Sequence, residues 1–215
     1  MRSSYPVWLL FLSDGLLLCA FAMLFIQCRK SRSPGAKALR RGIARFYERD
    51  LDGAIAEFSR AIELQPRTPQ FYYARAVAEH VKDESLAALR DYTRCIALDK
   101  SFALAYEGRG LIKTRLGALD KAIADYTRAL ALNPRLADAY CNRGTAMYRL
   151  GDYDGAIADY NLALNIDPEN AIAYANRGTI RHTAGDLDGA IADYANQLNQ
   201  TKDQKAWTEE IMPKL

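Results

Sequence analysis

The chain has 215 residues, half of them apolar and 26% charged, with 13 Gly, 7 Pro, 4 Cys and 2 His; this excludes a disordered, collagen-like or disulfide-framed chain and leaves little for a metal site. The net charge of +3 belongs to the N-terminus alone, because residues 1–34 hold four basic residues (Arg2, Arg29, Lys30, Arg32) and one acid (Asp14), whereas residues 35–215 hold 25 of each sign. A neutral body argues against a general nucleic-acid binder, which needs surplus cations to displace counterions from phosphate.

Residues 1–6 form a short tail. Val7 to Cys28 is an apolar run of 22 residues, about 33 Å long as a helix and enough to cross a hydrocarbon core of about 30 Å. Asp14 lies within it at a cost of about 2.5–3.5 kcal/mol, which seven Leu, three Phe and Ile26 at about 0.3–0.6 kcal/mol each offset. The expectation is a transmembrane signal-anchor helix over 7–28. For Asp14 two readings stay open, a tolerated polar residue or a functional intramembrane acid.

Arg2 alone precedes the run, while Arg29, Lys30, Arg32, Lys37, Arg40, Arg41 and Arg45 follow it with no acid before Glu48. The positive-inside rule then predicts a single-pass protein with everything after Cys28 in the cytoplasm, beginning with a basic juxtamembrane linker over 29–34. A cleaved signal peptide competes, since Ala20-Phe21-Ala22 fits a small-x-small cleavage site, and would leave a periplasmic or secreted protein. The length of the run and its continuation through Met23-Leu24-Phe25-Ile26 favour the anchor.

From residue 35 the sequence repeats every 34 residues. Position 103 onward reads ALAYEGRGLIKTRLGALDKAIADYTRALALNPRL, 137 onward ADAYCNRGTAMYRLGDYDGAIADYNLALNIDPEN, and 171 onward AIAYANRGTIRHTAGDLDGAIADYANQLNQ. Divergent copies occupy 35–68 and 69–102. In the copy over 137–170, Tyr140, Arg143, Gly144, Met147, Ala156, Tyr160 and Pro168 stand at the positions of the pattern W-x2-L-G-x2-Y…A-x3-F…P, and the chain resembles the tetratricopeptide repeat family. The resemblance covers about four-fifths of the chain. It implies an all-α, right-handed superhelical solenoid of five helix-turn-helix repeats (35–68, 69–102, 103–136, 137–170, 171–204); the transmembrane helix expected from the apolar run precedes it, and a cap or tail over 205–215 follows.

Within this frame the small positions Gly42, Ala76, Gly110, Gly144 and Gly178, and Ala54, Ala88, Ala122, Ala156 and Ala190, mark close helix approach. Tyr72, Tyr106, Tyr140 and Tyr174 supply aromatic knobs on first helices, and Phe58, Tyr92, Tyr126, Tyr160 and Tyr194 on second helices. Ile55, Leu89, Ile123, Ile157 and Ile191 should add to the buried face. Gly117, Gly151 and Gly185 suit left-handed backbone at the end of the first helix, and Pro66, Pro134 and Pro168 close the second. The copy over 69–102 has Asp83 and Lys100 instead, which predicts less sharply defined turns. Gln197 and the polar run after it fit a C-terminal capping face, with Trp207, Ile211 and Met212 folding back onto it.

Three Asp-x-Asp-Gly stretches (from Asp50, Asp152 and Asp186) look like the start of a calcium loop, but loop position 12 is Ala61, Ala163 or Gln197 rather than Glu, so Asp reads as a helix N-cap. Gly108-Arg109-Gly110 lies inside a repeat helix with no strand before it and fails as a dinucleotide fingerprint. His80 and His182 read as surface residues, and Cys95 and Cys141 as inert thiols. No nucleophile, base and orienter converge, so no enzyme, cofactor or metal is expected.

One pair recurs in every copy: Arg41, Arg75, Arg109, Arg143 and Arg177 against Glu57, Asp91, Asp125, Asp159 and Asp193. It predicts an Arg–carboxylate ladder between neighbouring helices; the alternative is solvated charge that recurs because the units were duplicated.

The resemblance further implies a concave groove lined by first helices. The positions carried over are Arg115, Asn142, Thr145, Tyr148, Arg149, Asn176, Thr179 and His182, a polar and mildly cationic set suited to an extended protein or peptide segment, or else an ordinary solvated face. The family's clamp for chaperone C-terminal tails needs a Lys where this chain has Leu39, Tyr73, Glu107, Cys141 and Ala175, which speaks against that partner. The expected function is a non-enzymatic, membrane-tethered scaffold or adaptor. Two other readings stay open, a periplasmic or secreted protein of envelope assembly and the regulatory subunit of an enzyme complex.

Overall fold

The computed structural model describes residues 33–206, with side chains to residue 200. The segment 7–28, Asp14, and Trp207, Ile211 and Met212 of the tail lie outside these residues. Among the described residues there are ten α-helices and no strand, and no helix is long and apolar enough to cross a membrane.

The chain divides at residues 112 and 113 into two compact units. The first contains α1 (Pro34–Tyr47), α2 (Leu51–Leu64), α3 (Pro69–Val81), α4 (Ser85–Leu98) and most of α5 (Ala103–Arg115). Its hairpins α1/α2 and α3/α4 are antiparallel pairs, and α2 packs on α3. The second contains the last turn of α5, then α6 (Leu119–Leu132), α7 (Ala137–Leu150), α8 (Tyr153–Ile166), α9 (Ala171–Thr183) and α10 (Leu187–Ala206). Here α7 pairs with α8 and α9 with α10, while α6 packs on α7 and α8 on α9.

Local chemistry sets where these helices begin. Pro opens α1 and α3, where a missing N–H costs nothing. The Asp-x-Asp-Gly stretches are N-caps: Asp50, Asp152 and Asp186 accept from the backbone N–H of Gly53, Gly155 and Gly189 at 2.9, 3.0 and 3.0 Å. Each core is built from small positions facing large ones. The five Ala positions are buried, as are Phe58, Tyr92, Tyr126 and Tyr160. A Cβ on Gly42 would stand 2.4 Å from the Phe58 ring, and one on Gly144 3.0 Å from the Tyr160 ring. The helices therefore approach as closely as the small residues allow.

Three expectations are corrected. Ile191 is not buried: it is 66% exposed, because no helix among the described residues lies beyond α10 to cover it. His80 is half-buried rather than on the surface.

The turns lacking glycine are as sharp as the others. Gly117, Gly151 and Gly185 have φ of 78°, 85° and 84°, and Asp83 and Arg49 adopt the same left-handed conformation at 67° and 64°. The closing bonds match as well, Glu84 N–H to Glu79 O at 2.8 Å and Asp50 N–H to Arg45 O at 2.9 Å against 3.0 Å for Asp152 N–H to Met147 O. Packing of the hairpin imposes the geometry and the residue bears the strain. At Lys100 the loop keeps its form because Asp99 accepts from Ser101 N–H at 2.9 Å, as Asn133 does from Arg135 at 3.1 Å.

Candidate functional site: a polar helix face positioned by an arginine network

The recurring Arg–carboxylate pairs form a connected framework in each unit. In the first, Arg75 Nε and Nη2 donate to Asp91 at 2.6 and 3.0 Å. In the second, Arg143 donates to Asp159 at 2.7 and 2.8 Å, and Arg177 to Asp193 at 3.0 and 2.6 Å. Asp91, Asp159 and Asp193 are buried, so the solvated-charge alternative fails for these three. It fits the exposed Arg41, whose Nε and Nη2 both reach Glu57 Oε2 at 3.0 and 2.8 Å. The bonds to Asp91 and Asp159 hold the Arg75 and Arg143 guanidinium groups above their ordinary pKa.

The sequence pattern did not reveal the third arm. Arg75 Nη1 donates back to Ser59 Oγ on α2 at 3.0 Å, Arg143 Nη1 to Thr127 Oγ1 on α6 at 3.1 Å, and Arg177 Nη1 to Asn161 Oδ1 on α8. One guanidinium thus ties its own helix to the helix before and the helix after. The signal was present as Ser59, Thr93, Thr127 and Asn161, hydrogen-bonding residues 34 apart. Arg181 joins Arg177 at Asp193 at 3.0 Å, and Lys113 lies 2.6 Å from Asp125.

Glu79 occupies the equivalent place in α3 and reverses the charge. Its Oε1 lies 3.8 Å from Arg75 Nε, and its buried Oε2 has no hydrogen-bond partner among the described residues. Burial, then the neighbouring Asp91, pushes its carboxyl up to about 7.

This framework sets the spacing of α7 and α9, which carry most of the expected partner-binding residues. Asn142, Thr145, Tyr148 and Arg149 follow one face of α7, and Asn176, Thr179 and His182 the equivalent face of α9. Asn176 Nδ2 donates to Thr145 Oγ1 at 3.2 Å, which joins the two faces. The Thr145 hydroxyl also bonds Cys141 O at 2.9 Å and lies 3.2 Å from the buried Tyr160 hydroxyl. Thr145 and Asn176 are therefore engaged internally. Arg149 Nη1 donates to Thr114 O at 2.8 Å, and Arg115 is exposed on the last turn of α5. Tyr148 is 37% exposed with its ring 5.6 Å from that of Tyr153. His182 and Thr179 are exposed, Asn142 half-exposed.

Of the residues at the expected clamp positions, Leu39, Tyr73, Glu107 and Cys141 are buried and Ala175 is half-buried. Cys95 and Cys141 are free thiols, and burial pushes each up to about 12, where a thiolate nucleophile is not formed near neutral pH. No cluster of three His, Cys, Asp or Glu able to hold a metal occurs among the described residues.

Two family descriptions match this chain, "TPR repeat" over residues 110–151 and 146–185 and "Tetratricopeptide repeat" over residues 39–94, together more than half its length. No curated protein matches it. Among solved structures it is similar to MamA, with TM-score 0.69 and 24% identity over 76% of this chain and 96% of that one. It is also similar to YrrB, described as a TPR protein with an unusual peptide-binding site, with TM-score 0.64 and 18% identity over 86% and 93% of the two chains. A third neighbour is PilF of Pseudomonas aeruginosa, with TM-score 0.72 and 15% identity over 77% and 76%. At these identities the likeness is one of fold.

Proposed function

Since the chain belongs to the tetratricopeptide repeat family, we propose that it is a non-enzymatic adaptor that holds a segment of a partner protein along the polar face of α7 and α9. The observation carrying this reading is that the face repeats at equivalent positions and is left out of the cores. Asn142, Tyr148, Thr179 and His182 offer amide, hydroxyl and imidazole groups to solvent, and Thr145–Asn176 holds the helices at fixed spacing. Side chains of this kind bond the backbone of an extended peptide. The peptide-binding site of YrrB, a neighbour of the same fold, supports the same use.

The adaptor is tethered to a membrane through residues 7–28, with the repeats on the cytoplasmic side. Tethering raises the effective concentration of the face toward other membrane-bound proteins. The carrying observation is the 22-residue apolar run with its basic C-terminal flank.

A photo-cross-linking residue at Tyr148 or at His182, introduced in the native cell, should give a discrete protein adduct. The same residue at exposed Arg128 on α6 should not. Adducts equal at all three positions, or none at Tyr148 and His182, would overturn the assignment of the face. For the tether, a C-terminally tagged chain should stay full-length in the pellet after alkaline carbonate extraction. A shortened soluble product would instead indicate cleavage near Ala22.

A further inference from the structure

We propose that the outer face of α1 is a docking surface for anionic phospholipid headgroups, an inference that rests on the membrane-tether reading. In α3, α5, α7 and α9 the third residue of each repeat is Phe71, Ala105, Ala139 or Ala173, all buried. The seventh residue is the arginine that reaches back to the preceding helix, from Arg75 to Ser59, Arg143 to Thr127 and Arg177 to Asn161. This is the face by which one repeat meets the one before it. In α1 the same two positions are Lys37 and Arg41, both exposed, and Arg45 one turn further on is exposed as well.

Spaced four residues apart, they form one stripe about 12 Å long. Arg45 bonds Asp50 at 2.6 Å and Arg41 bonds Glu57. The Arg41 Nη1 edge has no acceptor among the described residues, and Lys37 forms no ion pair there. Over 34–50 the chain carries five cations (Lys37, Arg40, Arg41, Arg45, Arg49) against Glu48 and Asp50, and Arg29, Lys30 and Arg32 just before it add three more with no acid.

Charge and chain length select the occupant. Only Arg29 to Ser33 separates the apolar run from Pro34, and five residues span at most about 17 Å. With residues 7–28 in a bilayer, α1 stands at the headgroup layer, where anionic phosphate supplies the acceptor that a preceding repeat would otherwise provide. A second copy stacked end to end fits poorly. Its last helix offers Ala195 where Ser59, Thr127 and Asn161 accept in the other repeats, with exposed Leu187, Ile191 and Leu198 beside it. An apolar face does not complement a cationic stripe.

The test uses the full chain reconstituted into vesicles of phosphatidylcholine alone or with added phosphatidylglycerol. Flotation is scored, and a water-soluble amine reagent reports the acylation rate of Lys37 against exposed Lys100 by mass spectrometry. The expected result is flotation with both vesicles, with Lys37 slowed about fivefold or more only by the anionic lipid and restored by high salt. Flotation with both and equal Lys37 rates overturns headgroup docking while the tether stands. Flotation with anionic vesicles alone supports docking and overturns the tether. Flotation with neither overturns both. Protection of Lys37 that follows protein density rather than lipid charge assigns the face to a second copy and overturns the lipid proposal.

Discussion

Arg49 and Asp83 show how tertiary packing places ordinary residues where glycine is preferred. Both sit at positive φ with the same turn bonds as Gly117, Gly151 and Gly185. An L residue in this region bears a strain of about 1–2 kcal/mol, part of which glycine gives back as chain entropy. Arg49→Gly is therefore expected to stabilise the first unit by about 0.5–1 kcal/mol, read by urea denaturation. No change, or a loss, would show that the turn relaxes around arginine at no cost.

Glu79 is the other residue-scale feature with a measurable consequence. Its folded pKa of about 7 lies above its ordinary value of 4.5, so the folded state binds its proton more tightly than the unfolded chain. The stability this contributes is complete below about pH 4.5 and is lost as pH rises through 7. Glu79→Gln keeps the shape and removes the titration. The variant is expected to exceed the parent by on the order of 1–2 kcal/mol above pH 8, with the difference closing toward pH 4.5. A stability difference independent of pH would refute the assignment.

At the scale of elements, the arginine network is what locks one helix to the next. Arg143→Leu strips two charge-assisted bonds from buried Asp159 and the link to Thr127. A buried carboxylate without its partner costs about 3–5 kcal/mol. Replacing both members, Arg143→Leu with Asp159→Leu, should recover much of that loss, since the uncompensated charge is gone. Arg41→Leu touches an exposed pair and is expected to cost less than about 1 kcal/mol. Thermal or chemical denaturation of the four proteins decides the matter. Equal effects of Arg143→Leu and Arg41→Leu would mean that the buried network contributes no more than a surface pair.

Across the whole molecule, repeats draw their stability from neighbours, so an end is weaker than a middle. In the second unit, α7 and α8 have packed helices on both sides, while α10 packs chiefly on α9 among the described residues. Leu187, Ile191 and Leu198 of α10 are exposed. Amide hydrogens of α10 are therefore expected to exchange faster than those of α7 and α8. Equal protection would show that α10 is covered in solution. The face of α1 that no described helix covers is charged instead of apolar, with Lys37, Arg41 and Arg45 exposed.

The sequence alone determined the helical hairpins, the 34-residue period, the capping aspartates and the recurrence of the Arg–carboxylate pair, while its burial was decided by the structure. Each is carried by local chemistry or by a spacing that recurs: Ala at closely packed positions, Asp three residues before the N–H it caps, Arg sixteen before its carboxylate. Much of the candidate face was legible for the same reason, since Asn142 and Asn176 repeat at the same helical position. Only the tertiary structure decided which of those side chains are free. It drew Thr145 and Asn176 into a bond with each other, seated Arg149 on Thr114 O, and left Tyr148 and His182 to solvent. It also decided that Ser59, Thr127 and Asn161 complete the ladder, that Asp83 can serve for glycine, and that Ile191 lies bare. These outcomes depend on which helix packs against which residue. That is a relation between distant parts of the chain, and a local pattern cannot express it.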